Sequence, residues 1–330
     1  MSYLRVKTPR IYTDEINWKL SKGRSSDKFT VIGDMNTGYD KFQLIDLSPH
    51  NRCSFDTSAN TTDHIIMQWQ NTGSSADKFD YIAILNHNIP QANGKIRVGY
   101  HSSPITAEGQ GTDVGNLTKV VNGTVSGDYA TPSENGSTIL TFDEVDGNPN
   151  KYWFIEIEDN NQFSGSDLEI GSVMMGEYYD FPHNPNVSVK RTFEYDGVKI
   201  QKAVGGKRYG TATHLGGDDY SSATFGQPFV QSSVTATRRR GGRIGYQLQF
   251  SHLADTDVMP SDLTTPYGDT VIHDIVNKLS MNLFPFVFAV DGDSTIEGDY
   301  LFARMNDNTM KMSQTAPNLW NIGFSLSEEF

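Results

Sequence analysis

The chain has 330 residues, which is enough for one large domain or two domains of ordinary size. Its formal net charge of −13 argues against a general nucleic-acid binder, because such proteins need a basic surface to neutralise phosphates. With Cys53 as its one cysteine, the chain cannot form an intrachain disulfide, which is typical of proteins assembled in the cytosol. We expect no secretory signal and no membrane span, since no stretch approaches the ~18 apolar residues that cross a bilayer.

The composition favours a mostly-β protein. Hydrophobic residues make up only 36% of the chain, but 18 Phe, 15 Tyr and 4 Trp supply large side chains for a core. The 30 Gly and 13 Pro predict frequent turns between short apolar runs.

Residues 1–35 are predicted to form an N-terminal arm. Residues 16–20 alternate weakly between apolar and polar side chains, and residues 23–28 are polar and turn-like. An arm with exposed aromatic side chains would dock on a neighbouring subunit. The alternative is an edge strand of the chain's own domain.

Residues 36–182 show short apolar runs separated by turn signals, without a helical period. The predicted strands lie at residues 42–47, 65–70, 79–85, 95–100, 117–121, 138–142, 152–157 and 168–175. This pattern predicts an antiparallel β-sandwich or jelly roll, with a long polar loop over residues 102–137.

Two prolines and two asparagines within residues 181–186 indicate a domain boundary, so residues 183–330 form a second β-rich domain. The Asp196–Gly197 pair between alternating runs predicts a hairpin. One amphipathic helix is predicted near residues 269–283, where Asp269 can cap it. Its apolar residues recur at intervals of three and four, and are Val271, Ile272, Ile275, Val276, Leu279 and Leu283.

No catalytic motif stands out. The eight histidines are scattered, and no two lie at the i,i+4 spacing of a helical zinc motif. The chain lacks a nucleophile elbow, a phosphate-binding loop and a dinucleotide-binding fingerprint. We therefore predict that the protein is not an enzyme and carries no cofactor or metal. A glycosidase is the enzymatic alternative, because 40 acidic residues always allow some carboxylate pair.

Asn86, His87 and Asn88 are candidate ligand-binding residues, because they directly follow a buried strand at residues 81–85. Loops on the rim of a sandwich commonly carry binding residues. Amide and imidazole groups both donate and accept hydrogen bonds, which suits hydroxyl-rich ligands. In the alternative interpretation, the two asparagines bond the loop backbone and His87 packs in the rim.

The loop containing Asp291, Asp293 and Glu297 loosely resembles a calcium site, but its spacing lacks the full EF-hand pattern. A simple hairpin turn is the preferred interpretation. Residues 216–219 carry the same ambiguity.

Arg238, Arg239, Arg240 and Arg243 form the basic cluster of the sequence. In a chain of charge −13, this cluster predicts a contact with acidic neighbouring subunits rather than with nucleic acid. The alternative is a solvated strand edge, where charge blocks unwanted pairing.

Residues 80–89, 94–100, 152–158 and 168–176, taken in order, resemble galactose-binding-like jelly-roll modules of phage virion proteins. The second half resembles the companion domain of such proteins, in a Gly205–Gly206 step and in three apolar strands. Those strands lie at residues 246–250, 284–288 and 320–330.

The resemblance implies a structural subunit of a phage tail tip, baseplate or tail–fibre junction. Such a subunit is made in the host cytoplasm and assembles in a ring with copies of itself and other virion proteins, without contacting nucleic acid. A carbohydrate-binding module for the host surface, and a head decoration or head-fibre protein, are the alternatives.

Overall fold

The computed structural model describes residues 7–57, 64–71, 77–159, 163, 166–194, 198–212, 243–261 and 268–329. This part of the chain is mostly β, as predicted, and every strand pair in it is antiparallel. Its strands are β1 (Arg10–Tyr12), β2 (Phe29–Ile32), β3 (Cys53–Phe55), β4 (His64–Gln70), β5 (Lys78–His87), β6 (Gly94–His101), β7 (Thr112–Asp113), β8 (Lys119–Val121), β9 (Thr124–Ser126), β10 (Tyr129–Thr131), β11 (Gly136–Asp146), β12 (Tyr152–Asp159), β13 (Leu168–Gly176), β14 (Tyr178–Asp180), β15 (Lys190–Glu194), β16 (Val198–Lys202), β17 (Arg208–Ala212), β18 (Arg243–Ala254), β19 (Phe286–Ala289), β20 (Tyr300–Met305), β21 (Lys311–Ala316) and β22 (Leu319–Glu328).

Helices are few and short. They are α1 (Glu15–Ser21), α2 (Asp255–Val258), a π-helix (Val271–Asn277) and three 3-10 turns (Ser26–Lys28, Lys41–Ile45 and Glu297–Asp299). In the part of the chain that the structure describes, no helix is long and apolar enough to cross a membrane.

Two sheets form a β-sandwich. One has the strand order β2-β4-β12-β6-β10-β9 with β7 beside β6, and the other has the order β3-β13-β5-β11-β8. Aromatic side chains from both sheets meet in the core between them, where the rings of Phe79 and Trp153 stack with centroids 4.8 Å apart. Along these strands, every second side chain therefore points into the core that the two sheets share.

A third sheet packs against the outer face of the five-stranded sheet. Its order is β14-β1-β19-β20-β22-β18-β15, with β21 beside β22. Tyr12, Val287 and Phe302 of this sheet share a buried apolar cluster with Tyr81 and Met174 of the sandwich. The five-stranded sheet is consequently the central layer of three.

The predicted N-terminal arm is wrong for the described residues from 7 onward. Ile11 and Tyr12 are fully buried, because β1 pairs with β14 on one side and β19 on the other. Residues 16–20, expected to alternate as an extended segment, belong to α1, which begins where the Asp14 carboxylate accepts hydrogen bonds from the backbone of Ile16 and Asn17. The segment is part of the body of the molecule.

The amphipathic helix predicted near residues 269–283 is present as the shorter π-helix. Val271 and Ile275 are fully buried against the face of the eight-stranded sheet that points away from the sandwich. The helix ends early because Ser280 and Met281 adopt positive φ angles of 47° and 60°.

Two further local predictions were wrong. Residues 42–45 of the predicted strand at 42–47 instead belong to the 3-10 turn Lys41–Ile45, which begins with a reciprocal capping box between Asp40 and Gln43. The expected hairpin about Asp196–Gly197 does not pair its flanking strands with each other, because β15 pairs with β18 and β16 pairs with β17. Residues 196–197 themselves lie outside the described residues.

A buried ion network joins the sandwich to the eight-stranded sheet. The Lys278 ammonium, just after the π-helix, lies 2.7 Å from Glu177 and 3.0 Å from Asp274. Glu177 connects β13 of the sandwich to β14 of the other sheet. Burial raises the pKa of Asp274 to about 6, although the charge of Lys278 opposes the rise.

Lys19 of α1 forms a second centre of this network. Its ammonium lies 2.5 Å from Asp77 and 3.3 Å from Glu15. Burial raises the pKa of Glu15 to about 7, opposed by the charges of Lys278 and Lys19. Burial therefore favours the protonated forms of Glu15 and Asp274 more than it would for exposed carboxyl groups.

Candidate ligand-binding site

The structure places Asn86 and Asn88 in the interior, where both serve the local backbone. The Asn86 amide donates to the carbonyl of Pro49 at 2.5 Å. The Asn88 amide donates to the carbonyl of Asp167 at 2.8 Å and accepts from the backbone N–H of Glu169 at 2.7 Å. These bonds tie the end of β5 to the loops before β3 and β13.

His87 is buried as well, with 2% of its surface exposed. Its Nδ1 accepts from the backbone N–H of Ile89 at 3.3 Å, so Nε2 carries the proton and donates to the Thr138 hydroxyl at 2.8 Å. Burial lowers the pKa of His87 to about 3. The ligand-binding prediction for Asn86, His87 and Asn88 is therefore corrected, since their polar atoms are satisfied internally and hold the loop.

Of the predicted basic cluster, Arg238, Arg239 and Arg240 lie outside the described residues. Arg243 opens β18, opposite Glu194 of β15. Burial raises the pKa of Glu328, and the charge of Arg243 is among the groups that oppose this rise. The contact with a neighbouring subunit stays a prediction.

The acidic loop at Asp291 is a turn closed by a lysine. The Lys7 ammonium lies 2.7 Å from the Asp291 carboxylate, which also accepts from the backbone N–H of Asp293 at 3.1 Å. No cluster of three potential metal ligands occurs among the residues whose positions are described. Residues 216–219 lie outside the described part of the chain.

A groove of about 390 Å³ lies on the eight-stranded sheet, over β18, β21 and β22. The register places Gln249 opposite Gly323 and Lys311, and Gln247 opposite Ser325, so all these positions share one face of the sheet. Apolar residues alternate with them and point into the core on the other face. The strands thus present a polar surface on a rigid apolar base.

This polar surface lies beside the sandwich. Ser327 is opposite Arg304 on β20, so the groove residues occupy the same face as Phe302, which packs against the five-stranded sheet. One part of the face is therefore covered by the sandwich, and the part formed by β18, β21 and β22 extends beyond it.

Amide and hydroxyl groups dominate the groove, with one carboxylate and one ammonium at its border. The Asn186 amide donates to the Ser251 hydroxyl at 2.8 Å, which fixes one end of the groove. The polar side chains lining it are Asn186, Gln247, Gln249, Ser251, Asp307, Lys311, Ser313, Asn321 and Ser325. Such groups bind by hydrogen bonding, since amides and hydroxyls both donate and accept.

Sequence reasoning missed this groove, although part of its signal was visible. Gln247 and Gln249 alternate with buried residues in a strand that was predicted correctly, which shows one polar face. Their proximity to Asn321 and Ser325 depends on the pairing of β18 with β22, which no local pattern encodes.

Comparisons with known proteins reveal no matching family model and no matching curated protein. Similar solved structures include CBM32-1 from a family 31 glycoside hydrolase of Clostridium perfringens, at 9% identity and a TM-score of 0.29, covering 45% of this chain and 94% of that one. The GH31 CBM32-2 domain bound to GalNAc has 14% identity and a TM-score of 0.26, covering 45% and 97%. The CBM32-1, CBM32-2 and M60 catalytic domains of Clostridium perfringens ZmpB have 9% identity and a TM-score of 0.27, covering 51% and 17%. These TM-scores are low, so the fold is assigned from the strand order of the sheets.

Proposed function

We propose that this protein is a non-catalytic carbohydrate-binding protein whose ligand occupies the groove over β18, β21 and β22. The observation that carries the proposal is the row of amide and hydroxyl side chains on one exposed sheet face. Amides and hydroxyls both donate and accept hydrogen bonds, as the hydroxyl groups of a sugar require of their partners.

The dimensions of the groove suit a small saccharide. Its volume of about 390 Å³ is near the lower end of the ~300–1,000 Å³ found for small-molecule sites. Side chains two residues apart on a strand are ~6.8 Å apart, and neighbouring strands are ~4.8 Å apart. The grid formed by Gln247, Gln249, Ser325 and Asn321 is thus wide enough to contact one or two sugar rings.

A glycan array followed by calorimetric titration tests this function. We expect Gln247→Ala and Gln249→Ala each to weaken binding by about 10-fold, because each removes exposed hydrogen-bonding groups from the groove. Gln314→Ala is the matched control, since Gln314 is an exposed glutamine of β21 on the opposite face of the sheet. Absence of binding to any glycan, or equal binding by all three variants, would overturn the proposal.

A second candidate function is a structural subunit of a phage virion, in the tail rather than the head, made in the host cytoplasm and assembled with copies of itself in a ring. The order of the sequence segments at residues 80–89, 94–100, 152–158 and 168–176 favours it. These segments form β5 and β13, which pair with each other, and β6 and β12, which also pair.

Imaging of assembled particles with a labelled antibody tests the virion assignment. Label at the tail tip, baseplate or tail–fibre junction is the expected result. Label restricted to the capsid shell, or absent from the particle, would contradict it.

Release of sugar from host polysaccharide by the pure protein would contradict the non-catalytic assignment.

A further inference from the structure

Strands β16 and β17 form a two-stranded sheet of their own, which follows β15 of the eight-stranded sheet along the chain. They are joined by a turn in which the N–H of Ala203 donates to the carbonyl of Lys207 at 2.8 Å and Gly206 adopts a φ of 85°. Among the described strands, neither pairs with any other. An isolated two-stranded hairpin is at best marginally stable in water, so additional contacts are needed to hold it.

This hairpin exposes large apolar side chains on both faces. Ile200 is 65% exposed and Tyr209 is 54% exposed. Ile200 lies opposite Gly210, so Tyr209 points to the other face. Of the ten large hydrophobic residues exposed in the described part of the chain, five lie between residues 187 and 209. Such a concentration marks an interaction surface rather than scattered surface residues.

The same segment is basic in an acidic protein. Residues 188–212 carry two acidic residues, Glu194 and Asp196, and six basic residues, which are Lys190, Arg191, Lys199, Lys202, Lys207 and Arg208. The whole chain has a net charge of −13, so the remainder of the chain is more acidic than that total. The charges of the hairpin and of the body are therefore complementary.

Cations and aromatic rings are interleaved here. The Arg191 guanidinium lies 4.8 Å from the centroid of Phe193, and the Lys207 ammonium lies 5.3 Å from the centroid of Tyr209. A partner that contacts the rings must accommodate these cations at the same time. An acidic protein surface satisfies both requirements.

We propose that the basic hairpin formed by β16 and β17, residues 198–212, docks on the acidic body of a second copy of this chain. Two hairpins cannot pair with each other, because both are basic. The contact consequently joins the hairpin of one copy to the body of another, a geometry that closes as a dimer by mutual exchange or as a ring. This inference goes beyond the glycan site and uses different residues, so either can fail without the other.

Sedimentation velocity of the full chain over a range of concentrations tests the proposal. We expect concentration-dependent oligomers that dissociate at least ~10-fold more readily in 500 mM than in 50 mM NaCl, because salt screens complementary charges. Lys202→Glu combined with Arg208→Glu reverses two charges that lie opposite each other on the hairpin. This variant is expected to weaken association by at least ~10-fold.

The matched control is Lys22→Glu combined with Lys151→Glu, which makes the same change in net charge at exposed positions away from the hairpin. Unchanged circular dichroism and melting temperature would show that both variants are folded. A chain that is monomeric at all concentrations, or association reduced equally by both double variants, would overturn the proposal.

Carbodiimide coupling of a mixture of unlabelled and isotope-labelled protein identifies the surface on the second copy. This reagent joins an amine only to a carboxylate in direct contact. We expect links between copies from Lys202 or Lys207 to acidic residues of the body. Retarded mobility of duplex DNA by a monomeric protein, abolished by the Lys202→Glu and Arg208→Glu changes, would instead assign the hairpin to nucleic acid.

Discussion

The ammonium nitrogen of Lys278 lies 2.7 Å from a carboxylate oxygen of Glu177, and both side chains are almost completely buried. This pair connects the segment after the π-helix to the link between β13 and β14. Neighbouring groups, Asp274 and Glu15, hold the pKa of Lys278 above its ordinary value despite its burial. The ion network therefore joins the eight-stranded sheet to the sandwich, beside the apolar cluster that the two share.

Replacing Lys278 with methionine should destabilise the protein by about 3–5 kcal/mol, because it leaves buried carboxylates without their cation. Urea denaturation at pH 7.5 measures the change in the free energy of unfolding. Lys151→Met, at an exposed position, is the control and should change stability by less than about 0.5 kcal/mol. Equal stability of the two variants would show that Lys278 does not support the junction.

Glu15 should make stability fall as the pH rises. Burial raises its pKa to about 7 from an ordinary value of 4.5, so its contribution is complete below pH 4.5 and is lost as the pH rises through 7. Glu15→Gln keeps this position neutral at every pH. We expect the variant to match the wild type near pH 5 and to exceed it by about 1–3 kcal/mol at pH 8. Thermal unfolding at both pH values tests this, and an identical pH dependence of the two proteins would contradict it.

His87 should make stability fall as the pH is lowered, which is opposite to the effect of Glu15. Burial lowers its pKa to about 3 from 6.5, so the stability present above pH 6.5 is lost progressively as the pH falls toward 3. His87→Gln removes this titration, and its stability should therefore decrease less between pH 7 and pH 4. The difference between the two pH slopes is the quantity to measure, because the carboxyl groups of the junction titrate in both proteins. Glycan affinity should not change in this variant, since His87 lies outside the groove.

Replacement by alanine should change the stability of the protein much more at Gly171 than at Gly323. A methyl group at Gly171 would overlap the carbonyl of Pro49, where the loop before β3 crosses β13. We expect Gly171→Ala to destabilise the protein by about 1–3 kcal/mol or more. At Gly323 the nearest atom would be a Gln249 side-chain carbon at 3.4 Å, an ordinary contact, so Gly323→Ala should stay within about 0.5 kcal/mol of wild type. Chemical denaturation of both variants provides the comparison.

Filling the groove provides a further test that keeps the fold intact. Gly323 faces the groove between Gln249 and Lys311, and a larger side chain there would occupy the ligand volume. Gly323→Gln is expected to weaken glycan binding by at least ~10-fold while its unfolding midpoint stays close to that of Gly323→Ala. Unchanged affinity in a folded Gly323→Gln protein would place the ligand elsewhere.

Alternation of apolar side chains was sufficient to predict most strands of the sandwich, because each of those strands buries one or both faces locally. It was insufficient for β1, whose three residues are stabilised by partners about 170 and 280 positions away in sequence. Asn86 and His87 illustrate a related limit. A polar side chain after a strand can face solvent or the interior, and the choice depends on distant acceptors such as Pro49 and Thr138. Predicting the groove would likewise require knowledge of a long-range contact, the pairing of β18 with β22.

The position of β1 between β14 and β19 has a consequence for synthesis of the chain. The sandwich sheets use residues between 29 and 176, so they can close while the rest is still being translated. Residues 10–12 must wait for residues 287–289 to leave the ribosome before both edges of β1 are paired. Strand β1 therefore reaches its final pairing only after the sandwich strands have been made, and a fragment that begins at residue 183 would keep β20 beside β19 but lack β1 on its other edge.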